Sequence, residues 1–307
     1  DLKKAVKEIN KRIKISKDTV SIHRLTQLRN EILRIVNSID IIGIIETDAE
    51  ELAKHEVSYL ASLLDVTADS DTIVRIAPEN IYATLSEKPM ILTSTTGKVT
   101  KRTISEMVEK FKSKASTDII NIIRLGVIEG KPTGQIVTEI NQMATGRTRR
   151  EIEALTRTII NHIGSEARQF ATLANAELIE GEEYVATLDS RTTLLCAGYD
   201  GDIFDIDRGP KPPLHWNCRS IRSPIIKEEY RVPGLRGTRG AIGADGRGTV
   251  SAQTTYSSWL KRQPKDFQDD ILGKEKAKLF RSGKVPLERF TDESGKVFTI
   301  AQLKQMV

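Results

Sequence analysis

The stretch from Tyr184 to Ile225, YVATLDSRTTLLCAGYDGDIFDIDRGPKPPLHWNCRSIRSPI, constrains the fold of this 307-residue chain more than any other part. It holds both cysteines, Cys196 and Cys218, together with His215, one of four histidines. Tyr184 to Leu188 has the composition of a strand, and it runs into Asp189-Ser190-Arg191-Thr192. Asp200-Gly201 is a tight turn, and Pro212-Pro213 leads into His215-Trp216-Asn217-Cys218-Arg219. Short strands and loops therefore fill this region and close it as a knuckle.

Helical periodicity dominates elsewhere. Val6, Ile9, Ile13, Leu25, Leu28, Ile32 and Ile35 recur at helical spacing between Lys3 and Asn37, and Leu52, His55, Val57 and Leu60 do so between Asp48 and Leu64. Residues 72 to 103 lose the pattern and suit an irregular or hairpin stretch. Thr103 is placed to cap a helix through Ile104, Met107, Val108 and Phe111. After turns around Gly130–Gly134 and Ala144–Gly146, a long helix is expected from about Thr148 to Ala176. Its buried stripe would be Ile152, Leu155, Ile159, His162, Ile163, Ala167, Phe170 and Leu173. The expected class is α+β, predominantly helical, with a long helix packed on a small β unit closed by the Asp…Cys…His-x-x-Cys knuckle. At this length two or three units are expected.

Composition narrows the function. The longest apolar run, Ile41–Ile45, is far short of the ~18 residues a membrane span needs, so no membrane partner is expected. Two cysteines exclude a disulfide scaffold and leave open a metal-ligand pair or one disulfide. The net charge is only +5, but between Arg208 and Gly248 nine basic residues face three acids. Residues 231 to 248 also hold six of the 20 glycines, interleaved with arginine, and read as a flexible basic linker.

His215 and Cys218, in an H-x2-C arrangement, can face one metal ion from a loop, with Cys196 as a third ligand and Asp189 or Asp200 as a fourth. The alternative is that both cysteines are small buried apolar groups and His215 a hydrogen-bonded scaffold residue.

The same residues carry a resemblance to the phage Mu F-like minor head protein family. The motifs are Thr156-Arg157-Thr158-Ile159-Ile160-Asn161-His162, then Ala186-Thr187-Leu188-Asp189-Ser190-Arg191-Thr192 with Cys196 and Asp200-Gly201. Pro212-Pro213-Leu214-His215-Trp216-Asn217-Cys218-Arg219 closes the series. The segment Thr254 to Phe290 also looks like the C-terminal extension of many members.

The resemblance implies a non-enzymatic, low-copy minor capsid protein near the portal vertex, acting in head assembly and in DNA packaging or ejection. It implies location in the virion, with portal protein, major capsid protein and packaged double-stranded DNA as partners. It divides the chain into a helical region 1–114 for portal or capsid contact, a head-morphogenesis domain 115–226, a basic Gly/Arg-rich linker 227–253 and a small helical tail 254–307. On this reading Arg191, Asp200, Gly201 and Arg219 brace the turns of the knuckle, Asp189 and Arg191 as an ion pair. Arg231, Arg236, Arg239 and Arg247 face DNA by sequence-independent electrostatics. Thr193 and Ser220 stand where many members carry further cysteines, so a four-cysteine zinc site is excluded. The expectation is a knuckle held by packing and hydrogen bonds without a cofactor, with structural zinc through His215 as the alternative.

Two other functions compete. A metal-dependent nuclease would use a loop histidine beside the basic band, but it needs more metal ligands than four scattered histidines supply, and His162 lies on an apolar helical stripe. A general DNA-binding module needs only the basic band. Cys218 and His215 lie too close in sequence for the usual nucleophile geometry. The stretch GLRGTRGAIGADG lacks the Gly-Lys-Ser/Thr of a phosphate loop. Tyr256, Trp259, Phe267 and Phe280 are either the core of the tail or docking anchors.

Overall fold

A computed structural model describes residues 41–77, 81–129, 131, 133–143, 149–235, 237–292 and 295–306. The expected helical stretch from Lys3 to Asn37 lies outside these residues, as does Arg236. Among the described residues the fold is α+β, helix-rich with three small antiparallel sheets. The chain divides into two compact units, one of Asp1–Asp48 with Arg102–Arg157, the other of Ala49–Lys101 with Thr158–Val307. Two long helices, α1 (Ile41–Thr67) and α5 (Arg149–Ala174), run through the division points. No helix among the described residues is long and apolar enough to cross a membrane.

In the first unit, α3 (Ile104–Ile128) is joined to α4 (Thr133–Met143). Thr103 opens α3 with a capping box: its hydroxyl accepts from the Glu106 N–H at 3.3 Å, and the Glu106 carboxylate accepts from the Thr103 N–H at 2.9 Å. Ile119, Ile123, Ile136 and Ile140 are buried. Gly126 allows the close approach of the two helices, because a Cβ there would lie 2.6 Å from Ile136 Cγ1.

In the second unit, the buried face of α1 is Ala53, Val57, Leu60 and Leu64. Leu52 and His55, expected on that face, sit off it, and His55 is exposed. The helical period is as expected, but Ala53 takes the inward position in place of Leu52, and α1 meets α5 at Glu56. There Arg168 bonds Glu56 at 2.8 Å. The buried stripe of α5 is Ile159, Ile163, Ala167 and Ala171, with Thr158 and His162 beside it. Phe170 and Leu173, expected on the stripe, are 39% and 44% exposed; Gln169, Thr172 and Asn175 are buried instead. Asn175 spends its amide on the backbone, donating to the carbonyls of Val74 and Ala171 while accepting from the Val74 N–H. A polar group used in this way can displace an apolar one from the interior.

Two short elements, α2 (Ile81–Ser86) and the hairpin of β1 (Met90–Thr93) and β2 (Val99–Arg102), precede the main sheet. That sheet has the order β4-β3-β5, all antiparallel, from β3 (Ile179–Val185), β4 (Ile203–Phe204) and β5 (Ile221–Ile226). The central strand begins before Tyr184, where the sequence placed its start, and ends at Val185. It ends there because the next backbone groups are taken elsewhere: the Ala186 N–H donates to Asp200, and the Leu188 carbonyl accepts from Ile242. A short helix, α6 (Leu194–Tyr199), carries Cys196.

The expected flexible linker is a correction. Residues 238–251 form a hairpin of β6 (Thr238–Gly243) and β7 (Gly246–Ser251), paired in continuous register. Glycine gave the stretch its linker-like composition, but the backbone ladder and the Leu188–Ala241 bridge hold it to the rest of the unit.

The tail consists of α7 (Tyr256–Lys261), α8 (Lys265–Leu272), α9 (Lys274–Arg281), a single helical turn at Leu287–Phe290, and α10 (Ile300–Lys304). Tyr256, Trp259, Leu260, Phe280 and Phe290 form one buried cluster with Leu188 and Ala197 of the knuckle, and Phe267 packs against it. The four tail aromatics are therefore core, continuous with the knuckle.

Candidate functional site

The knuckle is assembled from two turns. The first is α6, opened by Thr193, whose hydroxyl accepts from the Cys196 N–H at 3.4 Å. The second is His215–Cys218, closed by the Cys218 N–H donating to the His215 carbonyl at 3.1 Å. Asn217 sits in the left-handed region (φ 59), a conformation asparagine tolerates better than most residues. These turns bring Cys196 Sγ to 3.1 Å from His215 Nε2 and 3.8 Å from Cys218 Sγ. All three donor atoms lie within 4.8 Å of one another.

Both cysteines are free thiols, each 1% exposed. Around them pack Tyr184, Ala186, Tyr199, Phe204 and Leu214. The Tyr184 hydroxyl donates to Cys196 Sγ at 3.1 Å, and the buried Ser220 is close to both. His215 Nδ1 lies 2.8 Å from the Trp216 carbonyl, which can only accept, so Nδ1 carries the proton and Nε2 faces the sulfurs.

The two thiols are unequal. A hydrogen bond from Cys196, followed by the contact with His215, holds Cys218 down to about 3 despite its burial. The same bond to Cys218, with burial, pushes Cys196 well up. Burial opposes the charging of His215, but its bonding to the Cys218 sulfur prevails and raises it.

Two arginine clamps brace the knuckle. Arg219 grips the Asp189 carboxylate with both terminal nitrogens, at 2.5 and 2.8 Å. Burial works against the Asp189 charge, but the Arg219 and Arg191 bonds outweigh it and hold the carboxyl at about 2. Arg191, the expected partner, contributes its backbone N–H at 3.0 Å and a longer side-chain contact at 3.4 Å, with the side chain 71% exposed. The strong partner is thus Arg219, thirty residues away, because the next-but-one residue of a tight turn cannot present its guanidinium squarely.

The second clamp is Asp200, whose side chain is fully buried. It accepts from the Ala186 N–H at 2.6 Å, the Tyr256 N–H at 2.6 Å and both terminal nitrogens of Arg239, at 2.9 and 3.1 Å. One carboxylate therefore ties the end of the central strand, the β6–β7 hairpin and the first tail helix together. Gly201 follows at φ +95, and a Cβ there would meet Thr255 Cγ2 at 2.8 Å.

The assignment of Arg239 to DNA is overturned: its side chain is 11% exposed and is spent on Asp200 and the Ala186 and Thr254 carbonyls. Arg247 is exposed on the hairpin. Arg231 is 52% exposed and donates to the Ile226 carbonyl at 2.8 Å. Asp189 and Asp200 are likewise not brought to the cysteines, being committed to their arginines.

Three further sets of contacts have partners that the sequence did not assign. Glu182 and Arg222 form a buried pair at 3.2 Å, with Arg222 stacked 4.9 Å above the Phe204 ring and donating to the carbonyls of Asp205, Arg208 and Pro210. Thr158, fully buried on α5, accepts from the Asn217 N–H at 3.1 Å, and Asn161 donates to the Ser220 carbonyl at 3.1 Å. His162 Nε2 meets the Lys88 carbonyl at 3.0 Å, so that histidine serves the scaffold. The helix motif and the knuckle motif therefore touch through Thr158 and Asn161, residues belonging to one recognisable pattern.

Residues 117–222 match the family described as Phage Mu protein F like protein. The Mu F-like segment begins within α3 and ends at Arg222 in β5, so it contains the whole cysteine–histidine cluster and the Asp189–Arg219 clamp. Two partners of Asp200, Arg239 and Tyr256, lie beyond it. The Mu F-like family is one of phage head morphogenesis rather than a known enzyme family. The chain matches no curated protein and no solved structure.

Proposed function

We propose that this chain is a non-enzymatic minor capsid protein of a phage, present in low copy at the portal vertex and acting in head assembly, with portal and capsid proteins as partners. The observation that carries the reading is the Mu F-like segment itself, 117–222, with its motifs in order from Thr156 to Arg219. The chemistry of that segment supports it. Cys218 is buried, and Asp189 and Asp200 are each occupied by an arginine, so these groups brace the fold and are not presented to a substrate.

Packaged DNA is a weaker partner in this proposal. Of the basic band, Arg219, Arg222 and Arg239 are neutralised by buried carboxylates, which leaves Arg231 and Arg247 of the proposed DNA-facing set at the described surface. Contact with DNA inside the head would then be weak and salt-sensitive.

The test is quantitative mass spectrometry of this chain in DNA-filled particles and empty procapsids, normalised to portal protein. A low, fixed ratio to portal in both is the expected result. Absence from mature particles would overturn the proposal and favour an assembly factor that leaves the head.

A further inference from the structure

We propose that Cys196, His215 and Cys218 bind one structural zinc ion, with the Ser220 hydroxyl completing a four-coordinate site. The donors come from two separate turns, nineteen or more residues apart, yet their three ligand atoms lie within 4.8 Å of one another. Two sulfurs each ~2.3 Å from one tetrahedral zinc lie about 3.8 Å apart. The cysteine sulfurs are separated by 3.8 Å.

The surroundings fit an ion as well as the donors do. A zinc-bound histidine characteristically donates its other ring N–H to a carbonyl, which fixes the tautomer and aims the free nitrogen at the metal. His215 makes that bond to Trp216. Ser220 is buried and close to the Cys196 thiol. The nitrogen–sulfur donor set selects zinc over magnesium or calcium, which take oxygen. Three positions are filled by Cys196, His215 and Cys218, the proposal gives the fourth to Ser220, and aromatic and aliphatic side chains enclose the cysteines, which is the pattern of a structural rather than a catalytic site.

Zinc would replace the proton shared between the sulfurs, both cysteines binding as thiolates and the released protons passing to solvent. The ion would pin α6 to the His215–Cys218 turn, reinforcing the contacts that Cys196 already makes with His215 and Cys218.

Elemental analysis of the reduced full-length chain, purified from zinc-supplemented cells, tests this directly. The expected result is one zinc per chain, with cobalt substitution producing the intense visible and thiolate charge-transfer absorption of a four-coordinate thiolate site. His215→Ala and Cys218→Ser should each weaken zinc retention at least tenfold against a competing chelator. Because those variants could fail to fold, Ser220→Cys is the second arm: it should keep the fold and tighten retention at least tenfold. A chain that stays metal-free after reduction and zinc addition would overturn the proposal. So would a cobalt spectrum without thiolate character, or a mass two hydrogens low from a Cys196–Cys218 disulfide in freshly isolated protein.

Discussion

Arg219 holds Asp189 through two parallel hydrogen bonds, of 2.5 and 2.8 Å, at the point where the chain leaves the central strand. The residue after Cys218 is thereby fixed to the residue that begins the turn toward Cys196. Tyr256 adds a third tie, donating its hydroxyl to the Asp189 carbonyl at 2.9 Å. The clamp aligns the two halves of the cysteine–histidine cluster without belonging to it.

Lysine at position 219 would keep the charge but lose the planar fork. Arg219→Lys is expected to cost about 1–2 kcal/mol, and Arg219→Leu about 3 kcal/mol or more because a buried carboxylate is left unpaired. Urea unfolding of the three proteins checks this order; equal midpoints for all three would show that charge and fork contribute nothing.

The same clamp sets an acid limit. The Asp189 carboxyl lies at about 2, against an ordinary 3.8, so its contribution is fully present above the ordinary value and is lost as the pH falls through about 2. A depression of this size corresponds to roughly 2 kcal/mol. The stability gap between the parent and Asp189→Asn should therefore be constant from pH 7 to about 5 and close between about pH 4 and 2. A gap that persists undiminished at pH 2 would contradict this.

Asp200 joins three elements through one carboxylate. Asp200→Asn and Arg239→Ala should each cost about 3 kcal/mol, and both should open the β6–β7 hairpin to limited proteolysis. Arg247→Ala, on the exposed part of the same hairpin, should change stability by less than about 0.5 kcal/mol. If the hairpin were a flexible linker, the parent would be cut there as fast as the variants.

Gly201 has a conformational and a steric reason to be glycine. Gly201→Ala meets both a positive φ and Thr255, and should cost about 2 kcal/mol. Adding Thr255→Ser, which removes the methyl in contact, should recover only the steric part. Full recovery would show that the backbone conformation carries no cost.

On the opposite side of the knuckle, Thr158→Val removes the acceptor for the Asn217 N–H while keeping side-chain volume. The expected cost is about 1–2 kcal/mol, measured by thermal unfolding, because a backbone donor loses its partner. No change would mean that the contact between α5 and the His215–Cys218 turn is held by packing alone.

Much of this architecture is written locally. Thr103 and Glu106 specify a helix start, the 3.6-residue period marks α5 from Leu155 to Ala167, and Asn217 permits the turn that presents Cys218 beside His215. The errors have physical sources. Phe170 and Leu173 continue the apolar pattern but are exposed, because Asn175 and its backbone bonds take the interior at the helix end. The glycine–arginine stretch has a linker's composition, yet its carbonyls and N–H groups find a ladder partner and Asp200 takes Arg239.

The sequence by itself determined which turns this chain makes, which residues could serve as soft ligands, and the order of motifs by which 117–222 matches the Mu F-like family. Only the tertiary structure decided how the charges pair. Asp189 with Arg219, Asp200 with Arg239 and Glu182 with Arg222 are separated by 30, 39 and 40 residues. Local sequence carries no record of such distances, since every arginine offers the same guanidinium. The partner is chosen by which carboxylate the folded backbone removes from water, where an unpaired charge is too costly to keep.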